Sequence, residues 1–253
     1  MRRLLALLAL LWLPIPVEAQ PSVVEEDVVL GLSQSRVRIT TNFDGSEILI
    51  FGAIRREAPT PDSELDVIIA VAGPSTPVVV RKKARRWGIW INTEAAEIRS
   101  APSLYAVASS KPLSEILSEQ TDTIYRITAP RAVWTLGSEK EFAEAVLRIR
   151  RDQGLYTRNE SSVEVAEQTL FRTSVSMPAN LTEGAYRTRV FLLRNQQVVS
   201  DFETVIDVQK VGLERFLFNL SREQSLIYGL LSLAIAIAAG WGASAAFRIL
   251  NRG

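Results

Sequence analysis

From Leu226 to Phe247 the chain carries no charge: Leu-Ile-Tyr-Gly-Leu-Leu-Ser-Leu-Ala-Ile-Ala-Ile-Ala-Ala-Gly-Trp-Gly-Ala-Ser-Ala-Ala-Phe. At about 1.5 Å per residue this makes roughly 33 Å of helix, enough to cross a hydrocarbon core of about 30 Å. Arg222 and Glu223 bound the stretch on one side, Arg248 and Arg252 on the other. A soluble core helix this long would carry charge on its outer face. The stretch therefore predicts one membrane span, residues 226–247, with a short tail, 248–253, and makes everything before it a passenger at a membrane surface.

The first residues read as a secretory signal, 1–19. Met1-Arg2-Arg3 is a basic start, Leu4 to Leu13 is apolar but short, Pro14 and Pro16 break the helix, and Val17-Glu18-Ala19 fits a cleavage site before Gln20. An uncleaved signal anchor is the other reading of the same residues. Either form exports the residues from Gln20 onward, and one later span leaves the C-terminus inside, where Arg248 and Arg252 agree with the positive-inside bias.

The chain has no Cys and no His. That excludes disulfides, thiolate chemistry, iron–sulfur clusters, the usual zinc sites and the Ser-His-Asp triad. An enzyme here would have to work with carboxylates, Lys, Tyr, a Ser-Lys pair or a bound cofactor, so the expectation is no catalysis and no cofactor. The net charge of +1 gives no general argument for nucleic acid.

Between the two apolar segments the pattern is mainly β. Arg36 to Phe43 alternates, with Val37, Ile39, Thr41 and Phe43 on one face. Asp44-Gly45 supplies a two-residue hairpin turn into Ser46–Ile54, whose apolar residues on both faces predict a central strand. Leu65–Ala72, Thr76–Val80, Gly88–Asn92, Ala96–Arg99 and Leu104–Ala108 complete a first exported β-sandwich module over residues 20–110. A helical connecting segment, 111–155, comes next. Pro112 opens a short helix. A longer one starts at Ser138, which with Glu141 makes a capping box; Phe142, Ala145, Val146 and Ile149 form its apolar face and Gly154 its stop. Strands at Ser161–Glu167, Thr169–Met177, Arg187–Arg194 and Val198–Val208 give a second, smaller module over 156–211. There Gly184-Ala185-Tyr186 has the form of a tyrosine corner. Residues 212–225 read as a juxtamembrane helix with Leu213, Phe216, Leu217 and Leu220 on one side, lying at the bilayer interface or closing the second module as its last helix. The fold class is two immunoglobulin-like antiparallel β-sandwiches, an intervening helical segment and one C-terminal transmembrane helix.

Several blocks carry a family resemblance: Ser46-Glu47 with Phe51-Gly52-Ala53-Ile54, then Gly88-Ile89-Trp90-Ile91-Asn92, then Pro102 to Ser109. Gln153-Gly154-Leu155-Tyr156, Leu170-Phe171-Arg172, Lys210 to Phe216 and Tyr228-Gly229-Leu230 come after them in order. Together they resemble the alphaproteobacterial putative transmembrane protein family over nearly the whole chain. The resemblance implies a bacterial inner-membrane protein with its bulk in the periplasm. It implies no activity and carries over no catalytic residues. It also hints at a sulfite-exporter-like permease as partner.

Five cations fall within six residues at Arg81, Lys82, Lys83, Arg85 and Arg86, followed by Trp87 and Trp90. They suit an anionic lipid surface or acidic partner; a solvated hairpin or edge strand that uses charge against aggregation is the more ordinary reading. Trp87 and Trp90 with Tyr105 make either an aromatic platform or, as large aromatics in a sandwich more often do, core. Asp62, Glu64 and Asp66 could hold Ca²⁺ but lack further donors. Glu25-Glu26-Asp27 reads as a solvated mature N-terminus. Inside the span, Ser232, Ala236, Gly240 and Ser244 recur every fourth residue as a ridge of small side chains, which lets two helix backbones approach in lipid; a plain alanine-rich anchor would show the same residues. The leading expectation is a non-enzymatic single-span accessory protein that docks on another integral membrane protein or on itself. The alternatives are a membrane-tethered binding module for glycan, lipid or protein, and a His-free enzyme.

Overall fold

The computed structural model describes residues 26–57, 59–61, 63–133 and 140–250, with backbone alone at 213–216, 219, 245, 246 and 248–250. Residues 1–19, expected to be a signal sequence, and Asp62, Ser138 and Arg252 lie outside the described residues. In chain order the elements are β1 (Glu26–Leu32), β2 (Arg36–Ile39), β3 (Ser46–Arg56), β4 (Asp66–Ala72), β5 (Ser75–Arg86), β6 (Ile89–Pro102) and β7 (Tyr105–Ser109). Helices α1 (Leu113–Ile116), α2 (Glu119–Tyr125), α3 (Ala129–Ala132) and α4 (Lys140–Asp152) follow. Then come β8 (Tyr156–Asn159), β9 (Glu164–Ala166), β10 (Leu170–Met177), β11 (Gly184–Arg194), β12 (Gln197–Lys210), α5 (Leu213–Glu223) and α6 (Ser225–Leu250).

Alternation decides which strands face the interior. β10 buries Phe171, Thr173, Val175 and Met177 and exposes the residues between them; β2 buries Val37 and Ile39. One sheet has the order β1-β3-β10-β9, a second β2-β12-β11-β4-β7-β8, and β5 pairs only with β6. Pairing is antiparallel except for β12 with β2 and β7 with β8. The two sheets close over Val28, Ile48, Ile50, Phe171 and Val175 from one side and Val67, Ile69, Val190 and Leu192 from the other. On its far face the six-stranded sheet carries a second core, where Ile68, Tyr105, Val107 and Phe191 meet Leu113, Ile116, Val146 and Leu147 of the helices. β4 is therefore covered on both faces, and Val67, Ile68, Ile69, Ala70 and Val71 are all buried. Each of the Val and Ile side chains among them is worth about 1.5–3 kcal/mol in area removed from water.

The chain is mainly β, as read from the pattern, but its strands do not sort into two sandwiches. β3, from the first stretch, pairs with β10, from the second; β4 pairs with β11. Strands between residues 26 and 109 and strands between 156 and 210 together build one sandwich, since each sheet takes members from both stretches. Asp44-Gly45 likewise makes no hairpin. β2 and β3 lie in opposite sheets, so the connection arches across the core, with the turn at Thr40–Phe43 and only Gly45 at positive φ. A Cβ at Gly45 would sit 2.9 Å from the Met177 carbonyl oxygen, which fixes this position as glycine.

The tyrosine corner forms: the Tyr186 hydroxyl donates to the Thr182 carbonyl at 2.8 Å. In α4 the buried face is Val146 and Leu147, with Phe142 and Ala143 beside it, while Ile149 points outward; the apolar stripe is rotated from the one expected. Gly154 ends α4 in the left-handed region, and Leu155 N–H bonds back to the Arg150 carbonyl. Two short helices, α2 and α3, were not legible as such. Asp122 holds them together by accepting the N–H groups of Ile127 and Thr128 and the Thr128 hydroxyl.

Candidate functional site

β5 and β6 leave the six-stranded sheet as a long hairpin, paired from Ser75 with Pro102 out to Arg86 with Ile89. The 12 residues of β5 at about 3.3 Å each make it roughly 40 Å long. Its lower part is anchored. Ile98 and Ala101 enter the second core, Val78 and Val80 pack against it, and Lys82 Nζ meets Glu141 of α4 at 2.9 Å. That hydrogen bond, with the charges of Glu141 and Glu94, raises the Lys82 pKa above its ordinary value.

Beyond Lys82 the hairpin is bare. Trp87 and Gly88 form its turn, both at positive φ (+53° and +85°), the geometry that suits the right-handed twist of the two strands. Trp87 is fully exposed at 101%, and Trp90 and Ile89 are exposed at 68% and 64%. Cross-strand register sets Arg85 opposite Trp90, Arg86 opposite Ile89 and Lys83 opposite Asn92. Of the five cations only Lys82 forms an ion pair among the described residues. The cation run is thus a hairpin, and its end mixes uncompensated positive charge with uncovered aromatic surface.

Neither expectation for the tryptophans holds. They are not core, and they do not meet Tyr105, which is buried with its hydroxyl donating to the Ile127 carbonyl at 2.8 Å. Burial raises the pKa of Tyr105 and raises that of Tyr156 further, so both phenols are neutral structural donors; Tyr156 Oη reaches the Pro102 carbonyl at 2.7 Å. Glu64 and Asp66 share the Lys111 ammonium at 2.6 and 3.4 Å, and no group of acidic residues among those described is placed to hold a metal ion.

The apolar stretch forms α6. Among the described residues it is the one helix long and apolar enough to cross a membrane, over Ser225–Ser244 with mean hydropathy 1.9. Its side chains from 225 to 244 are all exposed, so no part of the sandwich covers them. Ser232, Ala236, Gly240 and Ser244 line one side. Ser232 Oγ donates to the Tyr228 carbonyl within the helix at 2.9 Å, and nothing lies within 4 Å of where a Gly240 Cβ would be. In α5, Leu217 and Phe218 are exposed, with Arg222 stacked 5.3 Å from the Phe218 ring.

Two features escaped the sequence reading. Glu26, expected in a solvated terminus, is buried between Arg56 and Arg194. The outer face of the four-stranded sheet exposes Val29, Leu49, Phe51 and Leu170, with the Phe51 ring lying over Gly31. The alternation Val29-Leu30-Gly31 and Leu49-Ile50-Phe51 was a visible signal for the second, since both faces of those strands are apolar.

No curated protein matches the chain. The family described as "Putative transmembrane protein (Alph_Pro_TM)" matches residues 27–249, which include both sheets, the hairpin and the apolar helix, and the chain belongs to that family.

Proposed function

We propose that this protein is a non-enzymatic, single-span accessory protein of the bacterial inner membrane. It presents the β-sandwich in the periplasm and docks through its span on another integral membrane protein, such as a sulfite-exporter-like permease, or on a second copy of itself. The observation that carries the reading is α6: its whole described surface is left to lipid or partner, and one side is a smooth ridge of Ser232, Ala236, Gly240 and Ser244. Two helices meet along such ridges because close backbone packing, rather than hydrophobicity, drives association in lipid.

Gly240→Leu places a bulky side chain in the middle of the ridge without lowering hydropathy, so insertion and abundance persist. Ile235→Leu, about 140° around the helix, is the control. Co-purification of the partner, or of a second tagged copy, is expected to fall at least about tenfold in Gly240→Leu and to stay at the parent level in the control. Equal association of both variants with the parent would reduce the span to an anchor.

The orientation is tested separately. A reporter active only in the periplasm is expected to work when fused after Lys210 and to fail after Arg252, since one span lies between them. Activity at both points or at neither defeats the single-pass topology.

A further inference from the structure

We infer that the end of the β5–β6 hairpin is a second membrane contact, which docks on the headgroup region of an anionic leaflet independently of the span. Its chemistry is that of an interfacial anchor. Trp87, Trp90 and Ile89 are exposed apolar groups, two of them the amphipathic rings that collect at bilayer interfaces. Arg85 and Arg86 lie opposite Trp90 and Ile89, Lys83 is one step further in, and none of the three is in an ion pair among the described residues. An acidic protein would satisfy the charges, but the turn residue is hardest to explain without a surface to enter. Trp87 holds φ +53° in a two-residue turn, where Asn or Gly is the favoured residue. A bulky aromatic in that conformation costs backbone strain and shields nothing in the protein, so its use lies outside it.

The hairpin is rooted where the chain leaves the sandwich for the span. The hairpin starts at Ser75, beyond the end of β4, where Ala72 pairs with Arg187 near the start of β11. Pro74 at its root packs on Gly184, and Gly184 pairs with Val208. β12 ends at Lys210, just before the helices that lead into the span. The root of the hairpin and the exit to the membrane are therefore at the same end of the sandwich.

The absence of cysteine makes the test direct. Asn92→Cys, opposite Lys83 and two residues from Trp90, takes a single fluorophore while both tryptophans stay. Gln197→Cys, at the start of β12 and so at the opposite end of the sandwich, is the reference. The full-length protein is placed in lipid nanodiscs of phosphatidylcholine alone or with phosphatidylglycerol. Quenching is read with aqueous iodide and with a lipid-borne quencher. In anionic discs the probe at 92 is expected to be shielded from iodide and quenched from the lipid, and in neutral discs to behave like the probe at 197. Arg85→Gln and Arg86→Gln should each lower the docked-to-undocked ratio about fivefold, and added salt should release the tip.

Trp87→Asn separates contact from folding. It relieves the turn, so thermal stability is expected to hold or rise while lipid quenching is lost. Iodide access at 92 equal to that at 197 in anionic discs would overturn the inference and leave the hairpin to an acidic protein partner. Equal docking in both lipids would overturn the role given to the cations.

Discussion

Glu26→Ala is expected to lower the unfolding free energy by about 3–5 kcal/mol, the range for removing one member of a buried ion pair. Glu26 opens β1, and its carboxylate accepts from Arg56 Nε and from Arg194 at 2.9 and 3.1 Å. Arg194 also donates to the Ser63 carbonyl, and Arg56 to the Gln168 carbonyl, so the cluster ties β1, β3 and β11 to two connecting segments. Without the carboxylate, two buried guanidinium groups face each other uncompensated. Burial alone would raise the pKa of Glu26, but the two arginines outweigh it and hold the group below its ordinary value of 4.5. The folded protein then binds fewer protons than the unfolded chain. The contribution is complete above the ordinary value and is lost as pH falls through the lowered one. Denaturant unfolding in nanodiscs at pH 7 and through an acid series measures both effects. Glu26→Gln should be weakened at pH 7 and lack this part of the acid-induced loss. A change of under about 1 kcal/mol for Glu26→Ala at pH 7 would show that the cluster is not holding β1 in place.

The second expected result is larger still: residues 156–211 alone should not fold. In the protein, β10 joins β3 and β11 joins β4, so this stretch would keep the β11–β12 and β9–β10 pairs but lose the strands that join them to a common core. Phe171, Val175, Val190 and Leu192 would face water where they now face Ile48, Ile50, Val67 and Ile69. Isolated two-stranded pairs are marginal in water at best. The isolated segment is expected to show narrow amide proton dispersion and no cooperative thermal transition. A dispersed spectrum with a sharp transition would restore two independent modules.

This contrast marks what was legible in the sequence. The positions of the strands were, since period-two alternation is local: Val37 and Ile39 are inside, Arg36 and Arg38 outside. The tyrosine corner was legible because all its parts fall within five residues. Which sheet a strand joins was not. Asp44-Gly45 has the composition of a hairpin turn, yet β2 and β3 separate because β3 finds better partners in β1 and β10 than in the strand before it. The cation run was found as a run, but its exposure depends on β5 and β6 extending past α4, and no local pattern states how far a hairpin outruns its neighbours. Glu26 shows the same limit from the other side. A carboxylate in an acidic terminal run looks solvated until two arginines, one at the end of β3 and one at the end of β11, close over it.

The parallel pairing of β12 with β2 has a mechanical consequence. β12 is the strand that leads into α5 and α6, and it is bonded on one side to β11 over nearly its full length and on the other to β2. Tension transmitted from the membrane helix enters the sandwich along this strand, while its hydrogen bonds lie across the direction of pull. They are loaded together in shear instead of being unzipped one after another. The strand that leads to the span thus grips the body from both flanks, and the sandwich resists being drawn apart by the segment that tethers it.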